Sequence, residues 1–262
     1  MKLLVAIVNC HRRDEWADAI RSTWLPLKPE GVDVLFFRGR GAKRLPHPDE
    51  VFLDCGDEYD DLPDKIREII RWAYEHNYDF VLKCDDDVVL NVEMLMKSGF
   101  ENYDYSGKSN RPMTPGRPWC VPYGFCYMLS RKAMWPVMNS DLPVGNDDEK
   151  WVAETLFNNG IRLINVPRYY LWLGTLLDKR QEYLRSKIKV YRPLDHRPRV
   201  VEELPEQMAW CIYLCGPGDR SITLEAKITE FHKVFSNKIL SKKESKQGNL
   251  NPSLTNVSVN QG

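Results

Sequence analysis

Short apolar runs alternate with amphipathic helical stretches along the first half of this 262-residue chain. Four runs have the length and composition of buried strands, and they cover residues 3–8, 32–37, 51–53 and 80–82. The clearest helical stretch is DDLPDKIREIIRWAYEH, in which Pro63 suits the first turn and Asp61 suits the N-cap. Alternating βα units predict a mainly parallel sheet with helices on both faces and ligands at the carboxyl ends of its strands.

The pattern loosens after residue 90. We expect a helix capped by Asn91, a strand at CYMLS, a short helix at RKAMW, a helix in NDDEKWVAETLFNNG that ends at Gly160, and a strand at IRLINV. From about Tyr169 onward the pattern favours helix, and the last twenty or so residues have a disordered composition. The sequence therefore predicts a core over residues 1–168, a mostly helical continuation of the same domain over 169–240, and a disordered tail over 241–262.

Charge and cysteine content restrict the partners and the compartment. Lys plus Arg and Asp plus Glu both total 37, so the zero formal net charge disfavours nucleic acid as a partner. The seven cysteines show no zinc-ligand spacing, and their odd number suits a reduced interior. MKLLVAIVNCHRR lacks a cleavage site, and no run reaches the roughly 18 apolar residues of a membrane span. We expect a soluble, cytoplasmic protein.

Three adjacent carboxylates, Asp85, Asp86 and Asp87, lie between apolar runs in DFVLKCDDDVVL. Buried together without partners they would repel one another and shift their pKa values. An isolated acidic triplet is more often a solvated turn, but the apolar flanks and the preceding βα pattern favour a bound cation. A D-x-D triplet at a strand end can hold Mn²⁺ or Mg²⁺ while a diphosphate supplies the remaining oxygens.

Five segments follow one another over about the first 166 residues: AIRSTW, DVLFFRG, DEYDDLPDKIREIIRWAYEH, FVLKCDDDVVL and YGFCYMLS. In order and spacing they resemble the β-1,3-galactosyltransferase and Fringe family of inverting glycosyltransferases. Two departures occur, because Cys126 replaces the second glycine of the family's G-x-G-Y motif and the family's E-D-V motif corresponds to Asp148-Glu149-Lys150. We expect no counterpart of the family's membrane anchor and stem, so the resemblance does not extend to the family's usual Golgi setting.

The resemblance implies a GT-A-like (Rossmann-like) fold, with a mixed, mainly parallel sheet, flanking helices and a helical C-terminal extension. It also implies a metal-dependent transfer of a hexose (galactose, N-acetylglucosamine or glucose) from a UDP-sugar to an acceptor hydroxyl, with a β-linked, β-1,3-like product. The acceptor would be a glycan, a lipid-linked intermediate or a protein.

The resemblance also assigns roles within the acidic triplet. Asp87 is the expected direct metal ligand, and Asp85 and Asp86 lie nearer the ribose and the sugar, with Asp85 as a second metal ligand. A third ligand in this family is often a histidine followed by proline, and His196 in LDHRPRV has that form. A lone histidine is, however, more often an ordinary core or surface residue.

The general base is assigned by the resemblance to the acidic motif in NDDEKWV. Asp148 is favoured, and Glu149 and Asp147 are the alternatives. A carboxylate at the start of a helix is also an ordinary N-terminal cap, so each of these residues has a purely structural interpretation as well.

Nucleotide binding is further assigned to Arg21, Lys65 and Asn9, and His11 after the first strand is a possible nucleotide contact. Arg21 either pairs with the nucleotide or a strand-end acid, or braces the first helix against the sheet. Lys65 either reaches the nucleotide or is an exposed member of a charged helix face.

Two other functions stay open from the sequence. A nucleotidyltransferase would use the same carboxylates and metal, although FRGRGAKR lacks a phosphate-loop pattern. A catalytically degenerate carbohydrate-binding or nucleotide-binding relative would explain the altered acidic motif.

Overall fold

Twelve strands, five α-helices and three short 3-10 helices make up the regular structure of the part of the chain that the computed structural model describes. That part comprises residues 1–41, 43–109 and 119–165, together with the backbone of four later strands. The strands are β1 (Leu3–Val8), β2 (Val32–Arg38), β3 (Glu50–Phe52), β4 (Phe80–Asp85), β5 (Val88–Leu90), β6 (Tyr105–Ser109), β7 (Pro122–Ser130), β8 (Ile164–Asn165), β9 (Tyr170–Trp172), β10 (Lys189–Tyr191), β11 (Pro198–Val200) and β12 (Ala209–Cys211). The helices are α1 (Asp14–Ser22), α2 (Leu62–Glu75), α3 (Val92–Met96), α4 (Arg131–Met138) and α5 (Asp148–Asn158).

Seven strands form a mixed, mainly parallel sheet in the order β3-β2-β1-β4-β7-β6-β8. The strand β1 is entirely buried and pairs in parallel with both β2 and β4. Val8 at the end of β1 lies opposite Asp85 at the end of β4, so the residues that follow both strands emerge at the same edge of the sheet. The strand β7 runs antiparallel to β4, which brings Gly124, near its start, to that edge as well. This arrangement confirms the predicted fold class.

Helices pack on both faces of this sheet because each presents one apolar stripe. Ile20 of α1 and Leu95 of α3 join the cluster on one face, and Ile66 of α2, Val137 of α4 and Trp151 of α5 join the cluster on the other. Burying a large apolar side chain contributes about 1.5–3 kcal/mol, so these two layers fix the loops at the carboxyl edge of the sheet.

The predicted helix ends are largely confirmed. Asn91 caps α3 by accepting a hydrogen bond from the Met94 backbone N–H at 3.1 Å, and Gly160 adopts a positive φ of 75° just beyond α5. Asp61 occupies the N-cap position of α2, but its carboxylate accepts the backbone N–H of Glu58 in the preceding 3-10 turn. Pro63, the second residue of α2, fits the first turn because it has no N–H that would need a partner there.

The chain beyond Tyr169 departs from the helical expectation where it is described. The strands β9 to β12 form a second sheet with β5, in the order β11-β10-β9-β12-β5, so the prediction of helix is wrong for those residues. Ala209 pairs with Leu90 and Cys211 with Val88, which gives the backbone of β5 hydrogen-bond partners that the main sheet does not supply. The other residues after 165 lie outside the described part, and the domain limits at 168 and 240 stay predictions.

None of the helices in the described residues has both the length and the apolar composition of a membrane span. The cytoplasmic location stays a prediction.

Candidate functional site

A cleft of about 470 Å³ opens at the carboxyl ends of β1 and β4. Its walls come from the loop after β1, from the turn and first helical residues of α2, and from the acidic triplet. The lining residues are 8–10, 12–13, 57–59, 62, 65 and 85–87. The triplet therefore faces a cleft at the edge of the sheet where the βα pattern predicts ligands.

Asp86 is the most buried acid of the triplet, with 2% of its surface exposed. Its Oδ1 lies 2.9 Å from Nη1 of Arg13, and its Oδ2 accepts a 2.7 Å hydrogen bond from Nδ2 of Asn9. Burial raises the pKa of Asp86 to about 6, although the positive charge of Arg13 acts to lower it. Each oxygen of Asp86 thus has a protein partner.

Asp87 is the member of the triplet that lacks such partners in the described residues. Its Oδ1 is buried and accepts no hydrogen bond. Burial, together with the charges of Asp85 and Asp86, raises the pKa of Asp87 to about 7. A buried carboxylate oxygen without a partner is costly, and a bound cation would remove that cost.

Asp85 ends β4 and faces the neighbouring strand β7. Its Oδ1 accepts a 2.6 Å hydrogen bond from Nζ of Lys83, which lies on the same face of the strand. Lys83 is 5% exposed and also donates to the backbone carbonyl of Gly124 on β7. Burial acts to lower the pKa of Lys83, but the charges of Asp85, Asp148 and Glu149 outweigh it and hold that pKa above its ordinary value.

The start of α5 supplies the second acidic group. Asp147 is exposed and caps the helix through a 3.1 Å bond from the Lys150 backbone N–H. Asp148 is buried, 3% exposed, and its Oδ2 has no hydrogen-bond partner in the described residues. Burial raises the pKa of Asp148 to about 7, with Lys83 acting in the opposite direction and Glu149 adding to the rise. The cap and the buried acid are therefore different residues.

Glu149 packs against the backbone of β7. A Cβ atom added to Gly124 would lie 1.5 Å from Glu149 Oε1, so only glycine leaves room for this carboxylate. Burial raises the pKa of Glu149, and Lys83 opposes the rise. Lys83 thus lies between the triplet and the acids of α5 and links the two groups electrostatically.

Lys65 lies in the wall of the cleft rather than on an exposed helix face. It is 2% exposed, and its Nζ donates to Asp57 and, at 3.0 Å, to the backbone carbonyl of Asn9. Asp57 also accepts backbone N–H groups of His11 at 2.7 Å and Gly39 at 2.6 Å. Burial acts to raise the pKa of Asp57, but these donors hold it below its ordinary value. The pair fixes the loop after β1 against α2.

Arg21 occupies the bracing role that was one of its two alternatives. Its guanidinium donates to both oxygens of Asp49 at 2.9 and 2.8 Å, to Glu50 at 2.8 Å and to Asp18 at 2.9 Å. It is not among the residues that line the cleft. These bonds tie α1 to the start of β3.

The assignments of Asp87, Asp85 and His196 as metal ligands stay predictions. His196 lies outside the described residues, and within them no three His, Cys, Asp or Glu side chains are placed to hold one ion together. The unpartnered oxygen of Asp87 and the partly exposed Asp85 fit a cation that takes one or two protein oxygens and completes its shell with phosphate.

Three residues of the site went unassigned in the sequence analysis: Lys83, Asp57 and Arg13. A lysine inside the apolar run FVLKCD, two residues before Asp85, was a usable signal for Lys83. The other two lie in polar loop sequence, where nothing distinguishes a buried charge from a solvated one.

Comparison with known proteins agrees with the resemblance. The family model described as Galactosyltransferase matches residues 15–114, which confirms the predicted resemblance over that segment and supports a glycosyltransferase. No curated protein matches the chain.

Two solved structures are similar at low identity. A protein described as a nucleotide-diphospho-sugar transferase, from Desulfovibrio desulfuricans, shares 10% identity at a TM-score of 0.43, over 63% of this chain and 80% of that one. The apo-form glycosyltransferase GlyE of Streptococcus pneumoniae shares 11% identity at a TM-score of 0.48, over 93% of this chain. The alignment spans 64% of GlyE, less than two thirds of its length.

Proposed function

We propose, from the Galactosyltransferase match over residues 15–114 and the acids that line the cleft, that this protein is a metal-dependent, inverting glycosyltransferase. It transfers a hexose (galactose, N-acetylglucosamine or glucose) from a UDP-sugar to a hydroxyl of a glycan, a lipid-linked intermediate or a protein, and it forms a β-linked product. The observation that carries the proposal is the pairing of two acidic groups at one sheet edge: a triplet with an unpartnered oxygen, and a buried acid on α5.

Asp87 and Asp85 are the residues that would hold Mn²⁺ or Mg²⁺. When bound, the ion supplies positive charge to the departing diphosphate. Lys83 keeps Asp85 oriented through its 2.6 Å hydrogen bond. Lys65 and Asp57 hold the backbone of Asn9 in position, which fixes the wall of the cleft beside the triplet.

Asp148 is the proposed general base. A base must accept the proton of the acceptor hydroxyl as that oxygen attacks the anomeric carbon, and it does so best when its pKa lies near the working pH. Burial raises the pKa of Asp148 to about 7, and its buried Oδ2 has no hydrogen-bond partner in the described residues. Glu149 is the alternative base, and Asp147, which is committed to the helix cap, is the weakest of the three.

A donor screen tests the proposal. The protein is incubated with Mn²⁺ and each UDP-sugar, and UDP release is measured for the native chain and for Asp87→Asn. We expect one sugar nucleotide to give UDP release that the substitution abolishes. Asp54→Asn is the matched control, because this carboxylate is 95% exposed and its loss removes the same charge far from any buried partner.

Three results would reject the proposal. Full activity in Asp87→Asn would show that the triplet does not serve the reaction. Turnover of nucleoside triphosphates without sugar transfer would favour the nucleotidyltransferase. Nucleotide binding without turnover over a broad acceptor panel would favour the non-catalytic relative.

A further inference from the structure

Arg13 brings a guanidinium into the cleft beside the acidic triplet. Its Nη1 lies 2.9 Å from Asp86 Oδ1, and its guanidinium carbon lies 4.0 Å from the ring centroid of Trp16. Asn9 donates to the backbone carbonyl of Arg13 at 3.1 Å and to Asp86 at 2.7 Å. Asp86 and Asn9 are both 2% exposed. Arg13 is therefore held at two places. Asp86 and Trp16 contact its guanidinium, and Asn9 holds its backbone carbonyl.

Asp86 consequently has a different task from Asp87. Both oxygens of Asp86 face protein donors, whereas Oδ1 of Asp87 has no hydrogen-bond partner in the described residues. Acceptors already engaged by a guanidinium and an amide are poorly placed to bind a metal or a ribose hydroxyl. The resemblance places Asp86 near the ribose and the sugar, but its contacts make it the anchor of Arg13.

The other cations of the cleft are differently placed. Lys65 is enclosed by Asp57 and the Asn9 carbonyl and is 2% exposed. The side chain of Arg12 is 67% exposed and pairs with Glu58 at the rim. The side chain of Arg13 is 37% exposed, so one part of its guanidinium is held by Asp86 while another part faces the cleft.

We propose that Arg13 binds the diphosphate of the donor, and that Asp86, Asn9 and Trp16 hold it in place for this contact. A guanidinium has five N–H donors in a planar fork that matches phosphate oxygens. The triplet alone would repel a diphosphate, and Arg13 offsets that repulsion on the protein side. Its contact also stabilises the charge that develops as the bond to the sugar breaks.

The inference rests on the proposed function, because the diphosphate is part of the proposed donor. Calorimetric titrations with uridine, UMP and UDP, in Mn²⁺ buffer and in EDTA, distinguish a failure of this inference from a failure of the proposed function. Arg13→Gln should weaken UDP binding about tenfold or more, weaken UMP binding less, and leave uridine binding unchanged. Arg13→Lys, which keeps the charge but loses the fork, should recover part of the affinity.

Two variants complete the design. Asp86→Asn weakens the hold on the guanidinium of Arg13. Like Arg13→Gln, it should weaken UDP binding most, weaken UMP binding less and leave uridine binding unchanged. Arg40→Gln removes an arginine whose side chain is 69% exposed and outside the cleft, and it should bind all three probes like the native chain.

The outcomes distinguish the proposals. Native protein that binds no UDP under either condition would reject the proposed function and this inference with it. Native binding of UDP with equal binding by Arg13→Gln would overturn this inference alone. An equal loss of uridine and UDP binding in both Arg13 variants would also overturn it, because the arginine would then support the fold rather than the phosphates.

Discussion

Replacing Lys83 with methionine tests whether one buried ammonium joins the acidic triplet to the acids at the start of α5. Methionine keeps an unbranched side chain but removes the charge and the bonds to Asp85 and Gly124. Lys83 is 5% exposed, and removal of one partner from a buried ion pair costs about 3–5 kcal/mol. Each kcal/mol lowers the Tm of a domain of this size by about 2–4 °C, so we expect a fall of about 6–20 °C.

Differential scanning calorimetry of the native protein and two variants measures this effect. Lys97→Met is the matched control, because Lys97 is 62% exposed and its 2.6 Å pair with Glu93 lies on the surface of α3. Its loss should cost no more than about 0.5 kcal/mol. Adding Glu149→Gln to Lys83→Met should recover part of the lost stability, since one of the uncompensated carboxylates is then neutral.

Equal Tm values for Lys83→Met and Lys97→Met would refute this reasoning. The effect of Glu149→Gln on Tm should also differ between the native protein and Lys83→Met. If Glu149→Gln lowers the Tm by the same amount in both backgrounds, Lys83 and Glu149 are not coupled.

The other predictions concern the proposed base Asp148, Gly124 beside Glu149, and the Asp57–Lys65 pair in the wall of the cleft. Sugar transfer should increase with pH as Asp148 ionises near pH 7, and Asp148→Asn should lower kcat by about 10²–10⁴-fold; a flat pH–rate profile would contradict the assignment. Gly124→Ala should reduce transfer more than UDP binding, because its Cβ displaces Glu149; native kinetics would contradict the contact. Asp57→Asn should lower the free energy of unfolding in urea by about 3 kcal/mol at pH 7 by leaving Lys65 unpaired. Because the pKa of Asp57 is held below its ordinary value, its stabilisation is present above that value and is lost as the pH falls through the lowered pKa. The difference in the free energy of unfolding between the native protein and Asp57→Asn should therefore shrink in acid. A difference that stays constant with pH would contradict this.

Local sequence patterns predicted the elements that frame the cleft. The strand β1 and the first half of β4 have buried apolar runs, and α2 has a stripe of Ile66, Ile69 and Ile70 on one side. Such patterns depend only on neighbours along the chain, so they are readable without a structure. The same holds for Asn91, whose cap needs only the backbone of its own helix.

Charges with distant partners were not predictable in the same way. Lys83 contacts Gly124 about forty residues later, and Asp57 meets His11 from the loop after β1. Arg21 had two roles open until the fold brought Asp49 and Glu50 to α1. The strands after Tyr169 were missed because runs of three residues carry too little periodicity to separate strand from helix.

The central claim is that Asp87 and Asp85 would hold a divalent ion that supplies positive charge to the diphosphate of a sugar nucleotide. Calorimetric titration of UDP into the native protein and Asp87→Asn, with and without Mn²⁺, measures it most directly. We predict that Mn²⁺ increases the native affinity for UDP by about tenfold or more, which is about 1.4 kcal/mol, and that Asp87→Asn loses this increase. Equal UDP affinity of the native protein with and without Mn²⁺ would contradict the claim.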